Sequence, residues 1–504
     1  MNFLIGIDIG TSSTKTILMN TDGVILAKAQ ESYPIDVPEI GRAEQSPERW
    51  WRAVVNTLQE IVNNMNMDTS HIRAVGLSGQ MHGLVLMDET GELVRPAIVW
   101  SDQRSKSQVE FIKETVQKEN HEDKVLNAIS TGFALPSLLW VKDHEPENYE
   151  KADTLLLPKD YIRYKLTGKI ATESTDASGT LAFNIAEREW NYALIRQLGL
   201  RQTLFPKCYE PVEVAGEITQ EAARITGLRE GTPVVFGGGD QFMQGIGNGI
   251  HSPGMVSSNI GTGGQVAAVV DRPVNDAQCR TNLFCHVQQH TWNIQGSSLN
   301  SGLSFEWFKS KILRENSFAR LTARAEKVAP GSEGLLFLPY LTGERTPYLD
   351  PNAKGMFFGL TLKHTADHLI RSVMEGVIFS LRDSLGIIES LGIKVNQVVA
   401  SGGGAKSRLW LQMQADIFQK QIVTTEVDDE ACVGAAIVAG VGVNVFPTIA
   451  EACQRLLSMS EEIIEPIEQN ITIYDRCYDL YRQLYKSNKH LFQQVSLQGS
   501  EAAN

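Results

Sequence analysis

Apolar residues along this chain fall in short runs separated by turn signals. Residues 3–9, FLIGIDI, are apolar at nearly every position and rich in isoleucine, which predicts a buried strand. TKTILM at 14–19 predicts a second strand, and Thr21-Asp22-Gly23 marks a turn into VILAKAQ. Together these make a β-meander whose first turn is Gly10-Thr11-Ser12-Ser13. Ser46-Pro47-Glu48 then opens a helix over PERWWRAVVNTLQEIV, with Ser46 as the cap and Pro47 at the first helical position. IRAVGLS (72–78) and HGLVLMD (82–88) predict strands flanking Gly79-Gln80-Met81. Strands followed by helices recur through residue 249, which sets the class as α/β.

The opening pattern returns once. VSSNIGTGGQVAAVV at 256–270 repeats the order of IGIDIGTSSTKTILM: apolar strand, Ile-Gly-Thr, small residues, one polar residue, apolar strand. This predicts an internal duplication with one phosphate-contacting turn per domain. The boundary falls at 250–255, in the His251-Ser252-Pro253-Gly254 turn, giving domains 1–250 and 251–504. From about residue 472 the pattern predicts an amphipathic helix, YDRCYDLYRQLYKSNKHLF, with QGSEAAN as a frayed tail.

Composition narrows the function. At 504 residues the chain is too long for one hydrophobic core. A net charge of −13 argues against nonspecific nucleic-acid or acidic-membrane partners. It leaves phosphate ligands open, because glycine-rich turns and helix N-termini bind them without net positive charge. MNFLIGIDIG lacks the basic start of a signal peptide, and no apolar run approaches the ~20 residues of a membrane span. Six scattered cysteines with no CxxC read as reduced cytoplasmic thiols.

Three glycine-rich stretches carry candidate chemistry. DIGTSSTK (8–15) follows a strand and matches neither a Walker A loop nor GxGxxG. Its backbone N–H groups and hydroxyls offer a nest for phosphate oxygens. Asp8, at the strand end, can orient Mg²⁺ through water. SGGGAKSRLWLQMQADIF (401–418) is a second glycine-rich turn before a helix, with Trp410 read as core. GGGDQFMQGIGNG (237–249) runs three glycines into Asp240, which can be a base, a metal ligand or a helix cap.

Taken in order, DIGTSSTK, GQMHG, WSDQR, GGGDQ, NIGTGG, YLTGERTP and GGGAKSRLWLQMQADI resemble the FGGY family of carbohydrate kinases across nearly the whole chain. GMFFGLTLKHTADHLIRSVME (355–375) fits that family's C-terminal signature. GQMHG and GRAEQSPERWW resemble most the members that act on D-xylulose. The resemblance implies two actin/hexokinase-like (ribonuclease H-like) domains around a central cleft. It implies phosphoryl transfer from ATP, with Mg²⁺, to a small-molecule ketopentose, and leaves a homodimer open.

The same resemblance implies roles for residues. Asp240 is the general base, with Gly237, Gly238 and Gly239 leaving room for sugar and γ-phosphate, and Asp8 is its catalytic and metal-orienting companion. Gln80, Met81 and His82 line the sugar pocket, with Gln241 beside it and Trp100, Asp102 and Arg104 flanking it or bracing the loop that forms it. Gly10, Thr11, Ser12 and Lys15 meet phosphate, as do Gly261, Thr262 and Gly263. Gly402, Gly403, Gly404 and Ala405 hold the adenosine end. For Arg104 an ion pair is the competing reading, and for Glu344 and Arg345 hinge structure and cleft chemistry stand equal. Gln241 and Ser101 occupy positions where asparagine is common in the family, which bears on the sugar and not on the phosphoryl chemistry.

Overall fold

Two sheets, each built on a hairpin with a parallel strand beside its first strand, organise the chain. The structure is a computed structural model describing residues 2–65 and 68–501. In the first sheet β1 (Phe3–Ile9), β2 (Ser13–Asn20) and β3 (Ile25–Ser32) form an antiparallel meander. β4 (Ile72–Gly79) adds parallel to the other side of β1. Beyond it come β5 (Val214–Glu217) and β6 (Pro233–Val235), in the order β5-β6-β4-β1-β2-β3. A two-residue strand, β7 (Gly238–Gly239), also pairs with β4.

The second sheet repeats the scheme. β8 (Val256–Ile260) and β9 (Gly264–Val270) form the repeated hairpin, and β10 (Asn282–Cys285) and β11 (Trp292–Ser298) continue it antiparallel. β12 (Gln397–Gly402) adds parallel to β8, and β13 (Gln421–Thr424) parallel to β12. The corresponding turns differ by one residue. Ile9 pairs with Thr14 around Gly10-Thr11-Ser12-Ser13, and Ile260 pairs with Gly264 around Gly261-Thr262-Gly263. This is the two-domain α/β architecture the duplicated pattern predicts.

Several boundaries differ from expectation. The first helix, α1 (Pro47–Met65), is longer than PERWWRAVVNTLQEIV, and buries Trp50, Val54, Leu58 and Ile61 along one stripe. The strand expected over 82–88 shrinks to Val85–Met87, because His82 takes a left-handed φ of 70° and turns the chain. The last helix spans Glu468–Glu501 and buries Tyr474, Tyr481, Tyr485 and Phe492. It runs into the segment expected to fray, whose residues 502–504 lie outside the described ones.

The helix following the glycine triplet, α4 in a count that gives α2 to Pro158–Thr167 and α3 to Ser174–Ser178, covers Asp240–Gly247. One of its faces meets α7 (Glu430–Gly442), a helix apolar on every side and therefore suited to full burial. A Cβ at Gly434 would sit 1.9 Å from the Met243 carbonyl, and one at Gly247 the same distance from that of Glu430. The two helices therefore touch backbone to backbone. α7 also lies on β1 and β4. A helix from the second half of the chain thus closes the core of the first sheet. Among the helices between α4 and α7 in sequence are two long ones, here α5 (Ala366–Ser390) and α6 (Arg408–Phe418). The other face of α4 is polar at intervals of three and four residues. Gln265 donates to Gln241 at 3.0 Å, Asn259 to Gln244 at 3.2 Å and Thr425 to Asn248 at 2.8 Å. Asp240 begins a helix wedged between the two halves.

Candidate active site

The glycine triplet serves packing. A Cβ at Gly237 would lie 2.0 Å from the Leu77 carbonyl, and Gly237 itself has φ 72°. At Gly238 the Cβ would meet Met243 Cε at 2.7 Å, and at Gly239 it would meet Met81 Cγ at 2.7 Å. Any side chain there would strike protein atoms already in place. The expectation that these glycines clear space for sugar and phosphate is therefore corrected. They let the chain lie against β4 and the Met81 side chain, which fixes where Asp240 emerges.

Asp240 is half-buried at the first position of α4, and its Oδ1 accepts the Gln241 N–H at 2.8 Å. Burial, and then the Asp8 carboxylate, pushes its carboxyl up to about 7. Asp8 ends β1 and accepts the Ser78 hydroxyl at 2.6 Å. Its carboxyl is also raised, chiefly by burial and against the pull of Ser78 and Lys15. The Asp8 carboxylate thus raises the proton affinity of Asp240, while Asp429 acts in the same sense on Asp8. Among the described residues no group of three or more His, Cys, Asp and Glu is placed to hold a metal.

Lys15 extends to Asp429 at 2.9 Å, with Lys28 3.6 Å from the same carboxylate. The Lys15 ammonium is thus tied to the residue that precedes α7. The Gly10-Thr11-Ser12 turn is held from three sides. Tyr33 donates to the Gly10 carbonyl at 2.7 Å, Gln45 to the Thr11 carbonyl at 2.8 Å and the Trp100 indole to Thr11 Oγ1 at 2.9 Å. Gln80, almost fully buried, donates to Gln45 Oε1 at 3.0 Å. The loop expected to meet sugar and the turn expected to meet phosphate share one hydrogen-bond chain.

His82 stands behind that loop with Nδ1 2.6 Å from the Gly179 carbonyl, and its ring lies 4.3 Å from that of Phe133. Burial lowers its imidazole to about 4. A neutral ring donating from Nδ1 keeps Nε2 as an acceptor. Arg345, from the opposite half, is exposed and close enough for its charge to act on His82. Its neighbour Glu344 is nearly fully buried and accepts from Ser298 Oγ at 2.8 Å, Leu299 N at 2.9 Å and Arg345 N at 2.7 Å. Glu344 secures the loop, and Arg345 presents a guanidinium from it.

Asp102 and Arg104 were expected to flank the sugar or to brace the loop that forms its pocket, and their contacts are those of a brace. Asp102 is 1% exposed, and its carboxylate is taken by the Ala43 N–H at 2.6 Å and by Arg104. Arg104 also reaches Glu44 at 2.7 Å and lies over the Trp140 ring. A buried carboxylate two residues before an arginine closes on it, since unpaired charge is costly away from water. The pair braces the loop carrying Trp100, which remains 42% exposed. Gln241 likewise has its side-chain oxygen engaged, by Gln265.

A cavity of about 790 Å³ opens beside the second turn, lined by Gly261, Thr262, Gly403, Gly404, Phe305 and Phe318. Gly402 has φ 75°, and a Cβ on it would meet the Ile260 carbonyl at 2.7 Å. Gly263 and Ala405 support this wall from behind, with a Gly263 Cβ falling 2.8 Å from the Ser298 carbonyl and Ala405 packed on the core. Trp410 lies at the edge of the cavity, 5% exposed and edge-on to Phe305, so the core reading and contact with the cavity both hold.

Sequence reasoning missed the layer beneath. Lys159 is fully buried among Asp160 at 2.9 Å, Glu173 at 3.0 Å and Asp176 at 3.0 Å. Glu173 in turn accepts the Thr175 hydroxyl at 2.9 Å, and Thr175 Oγ1 accepts the Gly239 N–H at 3.1 Å. Ser78 and Asp429, which flank Asp8 and Lys15, were missed as well. A run such as PKDYIR or TESTDAS gives no sign in sequence that its charges are internal.

Comparison with known proteins agrees with this arrangement. Residues 3–247 match the N-terminal domain, and residues 256–443 the C-terminal domain, of the FGGY family of carbohydrate kinases. The chain is 37% identical to xylulose kinase of Bacillus subtilis over 97% of its own length and 98% of that protein. It is 31% identical to gluconokinase of the same organism over 86% of each. Ligand-bound xylulose kinase from Lactobacillus acidophilus superposes with a TM-score of 0.92 at 27% identity, over 98% of this chain and 100% of the other.

Proposed function

The chain belongs to the FGGY family of carbohydrate kinases, and from that premise we propose that it transfers the γ-phosphoryl group of ATP to D-xylulose, forming D-xylulose 5-phosphate. The observation that carries the mechanism is the position of Asp240. It opens α4 immediately after the segment packed on Met81, and its carboxyl is raised to about 7 by burial and by Asp8. A base with that affinity is half-ionised near neutral pH and takes a hydroxyl proton without being permanently protonated or too weak. The N-terminus of α4 adds partial positive charge where the transferring group is negative.

His82 Nε2 accepts a sugar hydroxyl, while Trp100 and Met81 shape the pocket. The Gly10-Thr11-Ser12 and Gly261-Thr262-Gly263 turns meet phosphate oxygens from opposite halves. The adenosine end lies in the cavity between Gly403-Gly404 and the Phe305 and Phe318 rings. Asp8 would orient Mg²⁺ through water, and the ion would neutralise charge on the phosphates. Closure of the two halves excludes water from the reacting groups. Among the described residues no helix is long and apolar enough to cross a membrane, and the six cysteines are free. The free thiols suit a cytoplasmic enzyme.

A second reading has a specific observation behind it. The exposed guanidinium of Arg345 near His82 suits a sugar-acid carboxylate, and one relative is named gluconokinase. ADP release with MgATP should be measured with D-xylulose, D-ribulose, L-ribulose, D-gluconate, glycerol and erythritol. The highest kcat/KM is expected for D-xylulose. A preference for D-gluconate replaces the first reading with the second, and no stimulation by any of them overturns both.

A further inference from the structure

Choosing one purine over another takes a fixed donor or acceptor at the base edge, where adenine and guanine differ in their amino and carbonyl groups. The nucleotide cavity of about 790 Å³ supplies faces instead. Ile260, Leu303, Phe305, Ala319 and Ala323 give it apolar walls, and the Trp410 ring, edge-on to Phe305, adds to them. Among the described residues that line it there is no Asn, Gln or Arg, the side chains that pair with base edges through two bonds at once.

Two helices, Gly302–Trp307 and Phe318–Ala325, make one side of the cavity. Backbone N–H groups at their starts are already bonded. Gly302 N donates to the Gly261 carbonyl at 2.8 Å, Leu303 N to that of Thr262 at 2.9 Å, and Arg320 N to Ser317 Oγ at 3.3 Å. The polar side chains on this side are acceptors. Thr322 spends its hydroxyl proton on the Phe318 carbonyl at 3.0 Å. Glu306 pairs with Lys309 at 2.9 Å, and Lys309 Nζ lies 3.9 Å from the centre of the Phe318 ring, so carboxylate, cation and ring form one unit joining the helices. Glu326 is exposed at the rim. Adenine offers such acceptors its 6-amino group, and guanine its 2-amino group and N1–H, so an edge built of acceptors admits both.

The other side is the Gly403-Gly404 turn. A Cβ at Gly404 would strike Ile260 Cδ1 at 2.8 Å, whereas one at Gly403 would meet nothing closer than 3.5 Å. Gly404 is therefore needed for packing, and bare Gly403 leaves a flat wall for a ring to lie against. Lys406, exposed beside this turn, is one cation on a flexible stem and fixes no pair of edge contacts.

On the reading that the nucleoside end of the donor occupies this cavity, we propose that the chain also accepts GTP and ITP as phosphoryl donors, the base being held by ring and glycine contacts common to all purines. The transfer step is the same for each. The sugar hydroxyl oxygen bonds to the γ-phosphorus as the bond from that phosphorus to the β-phosphate oxygen breaks, the hydroxyl proton passes to Asp240, and the nucleoside diphosphate leaves with the electron pair. A hydrophobic pocket separates near-isosteres by only about 10- to 200-fold, whereas one built to pair with a polar group rejects its absence by about 10⁴–10⁵.

The test is calorimetric titration of the full chain with MgADP, MgGDP and MgIDP, beside initial rates with MgATP, MgGTP and MgITP at a saturating level of whichever of the sugars above is turned over fastest. Dissociation constants for GDP and IDP should lie within about a hundredfold of that for ADP, and kcat/KM for GTP and ITP within about a hundredfold of that for ATP. A larger preference for the adenine nucleotide in either measure overturns the proposal. The binding ratios need no sugar, so they stand or fall apart from the D-xylulose reading. Phe318→Ala, at an exposed ring, should weaken all three diphosphates by similar factors of about fivefold or more. A loss confined to ADP, or no loss for any of them, overturns it as well.

Discussion

The hydroxyl of Thr175 accepts the N–H of Gly239, 3.1 Å away and one residue before Asp240. The same hydroxyl donates to Glu173, which is itself held by fully buried Lys159. The backbone leading into the candidate base is thus anchored to an internal charge cluster that solvent does not reach. Thr175→Val keeps the shape and removes the acceptor, leaving the Gly239 N–H without its partner. A buried unsatisfied donor costs about 1–3 kcal/mol, so kcat should fall roughly tenfold or more, with little change in either KM. Thr175→Ser should restore most of the rate. A valine variant as fast as the parent would remove Thr175 from the positioning of Asp240.

Asp240→Asn keeps size and the first-turn position but accepts no proton. General-base catalysis contributes about 10²–10⁴-fold, and turnover should fall by that order while ATP still binds, as read by calorimetry. Because burial and Asp8 disfavour the Asp240 carboxylate, the amide should also raise the melting temperature at pH 8. Turnover near the parent rate would deny Asp240 the role of base.

The pH dependence follows from the same group. A carboxyl raised to about 7 is protonated and inactive as a base below that value, and ionised above it. With limiting MgATP, kcat/KM should therefore rise between pH 5.5 and 8 with a midpoint near 7. His82, lowered to about 4 by burial, adds no transition in that range. A profile flat down to pH 5 would mean that the base ionises at the ordinary carboxylate value.

His82→Ala removes the acceptor proposed to meet the sugar, and His82 is not among the residues lining the nucleotide cavity. One hydrogen bond is worth about 0.5–1.5 kcal/mol, so the sugar KM should rise about 3- to 10-fold with the ATP KM unchanged. The reverse pattern would move His82 out of the sugar site.

The fold was legible where the pattern was local. Hydrophobic runs marked β1, β2, β8 and β9, and the repeated Ile-Gly-Thr disclosed the duplication, because strand and turn chemistry is written within a dozen residues. The crossing of α7 onto β1 was not legible, since a helix apolar on every side announces burial but not its partner. For Asp102 and Arg104 the sequence left two readings open, flanking the sugar or bracing its loop, for a related reason. Polar residues in a suggestive motif look the same whether they face a ligand or each other. The glycines at 237–239 were correctly seen as marking close approach, but what approaches is Leu77, Met243 and Met81.

Gln241 offers the sharpest separation of the two roles it was given. As a departure beside Asp240 it was expected to tune the sugar pocket, yet its side-chain oxygen accepts from Gln265 of β9, which also donates to Gln295 of β11. Gln241 is therefore one stitch of the polar seam joining α4 to the second sheet. Asparagine is one methylene shorter and should not span the 3.0 Å contact. Gln241→Asn should lower kcat several-fold while the ranking of D-xylulose, D-ribulose and D-gluconate by kcat/KM stays the same. Combining it with Gln265→Ala should cost little more than either change alone, because both break the same bond. A reordered ranking would return Gln241 to the sugar pocket, and additive losses would show that the bond across the seam does not matter to the rate.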